Sequence, residues 1–290
     1  MSQTSPDTVE TAEPGPKPFP GGYKKVDSRP KKLPVMEIFG PTIQGEGAMA
    51  GIRTTFIRFG LCDYKCVMCD SMHAVDPKKV SANARWMIPH EIVAEWDPLM
   101  DGCNWVTFSG GNPAMHDLTE LVDIIKWNTG LRYKIAVETQ GTLLPSWLHR
   151  CDNVTVSPKG PGMGEQFEED KFNEYLRQFV NHKGFNVKVV VFSAADLEFA
   201  RYINSQMQEW GLEDQMYLSL GNPWPPGKES ELSGLNEGAY EFIGDTDRLK
   251  LKLLDEHRQI IEDLMQIPHL RNVRVLPQLH VLWWGNKLGV

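Results

Sequence analysis

Three cysteines fall within one short stretch, Cys62, Cys66 and Cys69, spaced Cys-x3-Cys-x2-Cys. Three thiolates on one loop are a soft ligand set and point to a metal. Zinc usually takes four ligands, commonly as two separated pairs, and no second Cys or His pair stands at the expected spacing. Three close thiolates suit an iron–sulfur cube that keeps one iron open for a small molecule. The opposing reading makes them buried cysteines acting as small hydrophobes, yet Asp63, Tyr64, Lys65 and Asp70 give the loop a polar character unlike a core segment. Cys103 and Cys151 stand apart, and an odd total of five makes a poor disulfide framework that suits a reducing compartment.

Such a loop needs elements to hold it. From Val35 onward, short β-branched runs alternate with longer segments carrying apolar residues at helical spacing, the pattern of a parallel α/β architecture. The predicted strands are Thr54 to Phe59, Trp105 to Phe108, Lys134 to Val137, Val154 to Val156, Val187 to Phe192 and Met216 to Leu220. Helices are predicted over Asp117 to Asn128, Ala195 to Trp210 and Leu249 to Met265, the last preceding Val273 to Leu276. Each of the first four strands runs into a polar or glycine-rich turn: Gly60-Leu61-Cys62, then Ser109-Gly110-Gly111-Asn112-Pro113, then Glu138-Thr139-Gln140-Gly141, then Ser157-Pro158-Lys159. Gly221-Asn222-Pro223 and Gln278-Leu279-His280 continue the series. In a parallel barrel, whole or partial, such positions converge on one rim where chemistry is placed. Glycine and proline also end strands for structural reasons, so the collection carries more weight than any one turn.

The chain of 290 residues, 41% hydrophobic and with a formal net charge of −8, is large enough for one full-sized core or two small ones. That excludes a fibrous or wholly disordered protein. An acidic chain with dispersed Lys and Arg is a poor direct ligand for nucleic acid, itself a polyanion. No window reaches the roughly eighteen consecutive apolar residues of a membrane span, and Met1 to Pro34 lacks a charged start followed by an apolar run. The expectation is a soluble cytoplasmic protein. Residues 1–34, rich in Pro and Gly, read as a flexible tail; residues 35–290 read as one domain, with a long loop or small insertion at about 221–247.

The cysteine loop after the first strand, together with Ser109-Gly110-Gly111-Asn112-Pro113 after the second, resembles the radical S-adenosylmethionine enzymes. More narrowly, the run from Glu37 to Gly47, Arg58, Cys69-Asp70-Ser71, Glu138-Thr139-Gln140-Gly141-Thr142, Ser157-Pro158-Lys159 and the ending from Pro277-Gln278-Leu279-His280 to Gly289-Val290 are similar to the 7-carboxy-7-deazaguanine synthase family. The likeness runs from about Val35 to Val290 and is weakest over 221–247. It implies a partial TIM-like barrel of about six parallel strands, of the radical S-adenosylmethionine type.

The resemblance also implies a site. Cys62, Cys66 and Cys69 would hold three irons of a 4Fe–4S cluster, the fourth iron taking S-adenosylmethionine. Met68, Cys69, Asp70, Gly111, Ser157, Pro158 and Lys159 would line that cofactor, with Gly111 letting the chain approach its methionine end. The family's substrate is 6-carboxy-5,6,7,8-tetrahydropterin, which needs a guanidinium for its carboxylate and acceptors for its ring N–H groups. Ile43, Gln44, Gly45 and Arg58 would touch it, with Ser109 beside it and Glu46 as a ring partner. Gln278 and His280 lie on a segment that folds back over the substrate in the family, and the Val290 carboxylate would reach the site by the same analogy. Ser71 matches a hydroxyl that binds Mg2+, where many members carry Thr. The implied reaction is hydrogen abstraction from the pterin, then ring contraction with loss of ammonia, by a carbon–nitrogen lyase of queuosine (7-deazapurine) biosynthesis. A flavodoxin or ferredoxin as electron donor and a homodimer come with it. Two further expectations stand beside these: Glu46 and Arg58 as a surface ion pair, and Lys188 either facing the barrel interior or, at least as readily, snorkelling out of its apolar strand.

Overall fold

In a computed structural model the described residues are 31–128, 133–225 and 245–289. The expected tail lies mostly outside them, as do most of the 221–247 segment and Val290. The compact unit that begins at Lys31 holds all of the described residues. Among the described residues no helix is long and apolar enough to cross a membrane.

Among the described residues nine strands form one sheet: β1 (Leu33–Ile43), β2 (Arg53–Phe59), β3 (Arg85–Met87), β4 (Trp105–Gly110), β5 (Lys134–Thr139), β6 (Asn153–Val156), β7 (Phe185–Val191), β8 (Met216–Leu220) and β9 (Arg274–Pro277). Their order is β3-β1-β2-β4-β5-β6-β7-β8-β9. From β2 through β4 to β9 every neighbouring pair is parallel, which makes seven parallel strands in an open, partial barrel. The seventh, β9, covers most of the run Val273 to Leu276 that follows the last predicted helix. The sequence reading left out β1 and β3, which add an antiparallel flap to one side.

The helices are α1 (Met72–Val75), α2 (Pro77–Asn83), α3 (Pro89–Trp96), α4 (Thr119–Asn128), α5 (Glu169–Phe179), α6 (Ala194–Gln208), α7 (Asp245–Leu264) and α8 (Leu279–Trp284). Side chains alternate across each strand, and here the alternation separates two environments. Val106 and Phe108, Ile135 and Val137, Val154 and Val156, and Val187, Val189 and Val191 are buried in the main core. Leu121, Val122 and Ile125 of α4 join that core, as do Phe172, Leu176 and Phe179 of α5 and Leu197, Ile203 and Met207 of α6. Burying each such side chain contributes about 1.5–3 kcal/mol, so this layer sets the barrel's rigidity. The opposite face of the same strands carries Thr107 and Ser109, Glu138, Thr155, Asn186 and Lys188, and Ser219. Polar groups are thereby gathered inside the curve of the sheet.

Strand β4 ends at Gly110, paired with Phe59 of β2. Gly110 has φ +126°, and a Cβ there would lie 2.0 Å from the Phe59 carbonyl oxygen. Gly110→Ala combines a forbidden backbone angle with a collision against main chain that cannot swing away, and is expected to cost about 3 kcal/mol or more. Chemical denaturation of the variant checks this.

Candidate active site

The C-terminal ends of the parallel strands open onto one cavity of about 220 Å3. Its first wall is the loop after β2. Asn112, in the turn after β4, accepts from Thr139 Oγ1 (2.9 Å) and from the Ala114 N–H (3.1 Å), so its amide nitrogen must face Asp63, to which it donates at 2.8 Å. Gln140 and Thr142, in the turn after β5, donate to the same carboxylate. On the other side Val67 N–H donates to Met163 O (3.0 Å), Lys65 N–H to Glu165 (2.6 Å) and Tyr64 OH to Gln166 O (3.0 Å). The cysteine loop is therefore stapled to three neighbouring turns.

Cys62, Cys66 and Cys69 are free thiols that all line the cavity. Burial pushes the Cys66 thiol up to about 11 and the Cys69 thiol up to about 12, and raises that of Cys62 as well. Each therefore carries a proton at neutral pH until a metal displaces it. Among the described residues no three His, Cys, Asp or Glu side chains form a group that could hold a metal ion. A cubane does not require such convergence, because each thiolate takes a different iron. Nearby, Ser109 Oγ is buried without a hydrogen-bond partner among the described residues, a cost that a polar ligand atom in the cavity would relieve. Three thiols outside any disulfide and an orphaned hydroxyl on one cavity fit an iron–sulfur cube with a polar ligand beside it.

Met68, Asp70, Gly111, Ser157 and Lys159 line the same cavity, and Lys159 Nζ donates to Ser157 Oγ at 3.0 Å. Pro158 does not; it lines a separate small crevice with Tyr64, Gln140 and Phe172. At Gly111 the structure gives its own reason for glycine. A Cβ would stand 1.9 Å from the Leu61 carbonyl oxygen, so the missing side chain admits the β2 loop.

The second wall belongs to the substrate residues expected from sequence. Arg58 of β2 lies opposite Glu37 of β1 in register. Its Nε donates to Glu37 Oε2 at 2.6 Å, one terminal nitrogen donates to Ser71 Oγ at 3.0 Å, and the guanidinium lies over the Phe39 ring. The expected Glu46–Arg58 surface pair is replaced by this one. A hydrogen bond from His73 and then the Arg58 charge hold the Glu37 carboxyl below its ordinary range against burial. A guanidinium has five donors, so Arg58 keeps others for an anion.

Glu46 follows β1 and is buried. Its Oε2 accepts from Lys188 Nζ at 2.8 Å, and its Oε1 accepts from Ser219 Oγ at 2.6 Å and Gln278 Nε2 at 2.9 Å. Lys188 also reaches Glu138 Oε1 at 3.3 Å, where Gln44 Nε2 donates at 3.1 Å. Lys188 is 4% exposed, so snorkelling is overturned: strand parity puts it on the inner face with Asn186. Burial works against both charges, but the Lys188 ammonium keeps Glu46 well below its ordinary value, and Glu138 and Glu46 keep Lys188 above its own. The pair is charged at neutral pH.

The third wall is the segment after β9. Leu279 N–H donates to Gly45 O at 3.1 Å, Gln278 Oε1 accepts from Asn222 N–H at 2.9 Å, and His280 packs on Gly45. Ile43, Gln44, Gly45, Glu46, Arg58, Ser71, Ser109, Gln278 and His280 thus share the cavity with the three cysteines. Sequence reasoning did not assign Glu138, Gln140 or Lys188 to it, nor Glu37 and Asp63 as the carboxylates that hold Arg58 and Gln140. Strand alternation was the available signal for Glu138 and Lys188.

No protein-family model matches the chain. It is 36% identical over 267 residues to the 7-carboxy-7-deazaguanine synthase of Bacillus subtilis, covering 90% of this chain and 99% of that one. The protein of the same name from Bacillus cereus is 36% identical over 264 residues, covering 89% and 99%. A crystal structure of QueE from Escherichia coli matches with a TM-score of 0.54 at 21% identity, covering 86% of this chain and 95% of that one, and bears on the fold.

Proposed function

The chain belongs to the 7-carboxy-7-deazaguanine synthase family, and on that footing we propose that it converts 6-carboxy-5,6,7,8-tetrahydropterin to 7-carboxy-7-deazaguanine with loss of ammonia, in queuosine (7-deazapurine) biosynthesis. The observation that carries the reading is the sharing of one cavity by three free thiols and a guanidinium–carboxylate–lysine lining. Cys62, Cys66 and Cys69 would hold a 4Fe–4S cluster beside S-adenosylmethionine, which together supply the radical that abstracts hydrogen.

The chain's own groups do the rest by binding and orientation. Arg58, anchored by Glu37, presents its remaining N–H donors to the pterin carboxylate. Glu138 and Glu46 offer acceptors to the ring N–H groups, with Lys188 holding both carboxylates in place. Ser109 gains the partner it lacks. Lys159 and Ser157 face the cofactor end, with Met68, Asp70 and Gly111 beside them. Ser71 Oγ, which accepts from Arg58, has a second lone pair for Mg2+, and hard oxygen donors from the substrate would complete that ion. A cytoplasmic homodimer fed by a flavodoxin or ferredoxin completes the proposal.

Anaerobic reconstitution with iron and sulfide, then incubation with the carboxypterin, S-adenosylmethionine, Mg2+ and dithionite, tests it. The deazapurine, identified by mass spectrometry, is the expected product; cluster-loaded protein that makes none overturns the reading. Gly45→Ala probes the third wall. A methyl there would stand 2.2 Å from His280 Nδ1 and push the 278–281 segment outward, so KM for the pterin is expected to rise about tenfold, equivalent to about 1.4 kcal/mol. Steady-state kinetics check this.

A further inference from the structure

We propose that Gln140 is a positioning residue that tunes the iron–sulfur cluster by donating a hydrogen bond to the Cys62 thiolate. The inference rests on the cluster reading above, but its evidence is separate. Gln140 Nε2 lies 3.1 Å from Cys62 Sγ and also donates to Asp63 Oδ1. A carboxamide has two N–H donors, and both are used here. Its orientation is fixed by chemistry: a thiolate and a carboxylate can only accept, so the nitrogen and not the oxygen must face them. Asp63 is itself held by Asn112, whose amide is oriented by Thr139 Oγ1 and the Ala114 N–H, and by Thr142. Two strand ends thus lock one acceptor, and that acceptor locks the donor.

The bond joins a buried donor to a half-buried sulfur on the cavity wall. Gln140 is 7% exposed, and the same Cys62 Sγ accepts from the Tyr64 N–H at 3.4 Å. A hydrogen bond to sulfur withdraws charge from the cluster and stabilises the form carrying one more electron. Gln140 therefore sets how easily a low-potential donor delivers that electron. It touches no substrate atom in this account; it acts through Cys62.

The test is an EPR-monitored redox titration of the reconstituted full-length protein, wild type against Gln140→Leu, which keeps the side chain's bulk and deletes both donors. The midpoint potential is expected to fall by the equivalent of a tenfold change in the one-electron equilibrium, about 59 mV, with iron content unchanged. Resonance Raman iron–thiolate stretches should rise on loss of the N–H. If Gln140→Leu fails to load, Gln140→Met, equally without a donor, takes its place. Equal potentials and equal stretches in loaded wild type and variant overturn the inference and leave the enzyme assignment standing. Wild-type protein that takes up no iron overturns both.

Discussion

Replacing any one of Cys62, Cys66 or Cys69 by Ala is expected to abolish product formation and to cut iron uptake well below the roughly four atoms per chain of a full cube. The reason is the lack of reserves. Among the described residues no other Cys sits on the cavity, since Cys103 bonds toward the Arg53 and Trp105 carbonyls and Cys151 is buried in the main core. Cys103→Ala is accordingly expected to keep both iron and activity. Iron and sulfide analysis of the anaerobic proteins, run beside the product assay, checks the contrast. Equal iron in Cys66→Ala and wild type would remove the cluster from this loop.

Lys188→Met is the second large effect. It leaves Glu46 and Glu138 facing each other in a buried site without their cation, and breaking such a pair costs about 3–5 kcal/mol. Activity should fall more than about a hundredfold, because the substrate would meet carboxylates that have taken up protons or moved apart. The sign with pH follows from the shifts. Glu46 is depressed in the folded chain, so its contribution is present above its unfolded value, near 4.3, and is lost as pH falls through the lower folded value. Lys188 is raised, so its contribution is present below about 10.4 and is lost at higher pH. The stability gap between wild type and Lys188→Met is therefore widest near neutrality and narrows toward acid, as the variant's uncompensated carboxylates bind protons. The double variant Lys188→Met/Glu46→Gln should recover part of the loss. Denaturant midpoints across pH measure all three.

The rim was legible because its residues are local. A cysteine loop, a Ser-Gly-Gly turn and a Glu-Thr-Gln-Gly turn each follow a β-branched run, and parallel pairing brings such ends together. Helix α5 was equally open to view, since Phe172, Tyr175, Leu176 and Phe179 repeat at helical spacing, yet the sequence reading places no helix there. Lys188 fell between the two: its strand was expected and an inward orientation stood beside snorkelling, and counting alternate positions from Val187 decides for inward. The partners of Arg58 and Glu46 were not legible. Glu37 reaches Arg58 only through the antiparallel register of β1, which the Gly40-Pro41 irregularity obscures, and Glu46 meets Lys188 across 142 positions of sequence. Non-local pairing of this kind follows from the fold and not from any window of residues.

Gln278 and Glu46 are separated by 232 positions, and with Leu279 and Gly45 they close the cavity's third wall. On a ribosome adding about 5–20 residues per second, roughly 10–40 s pass between synthesis of Cys69 and of Gln278. Throughout that interval the nascent chain carries its three thiols with no such wall over them. Delivery of iron and sulfide before release would meet an open, oxygen-accessible loop, whereas delivery after release meets a finished enclosure. The site's third wall thus closes only on the completed polypeptide.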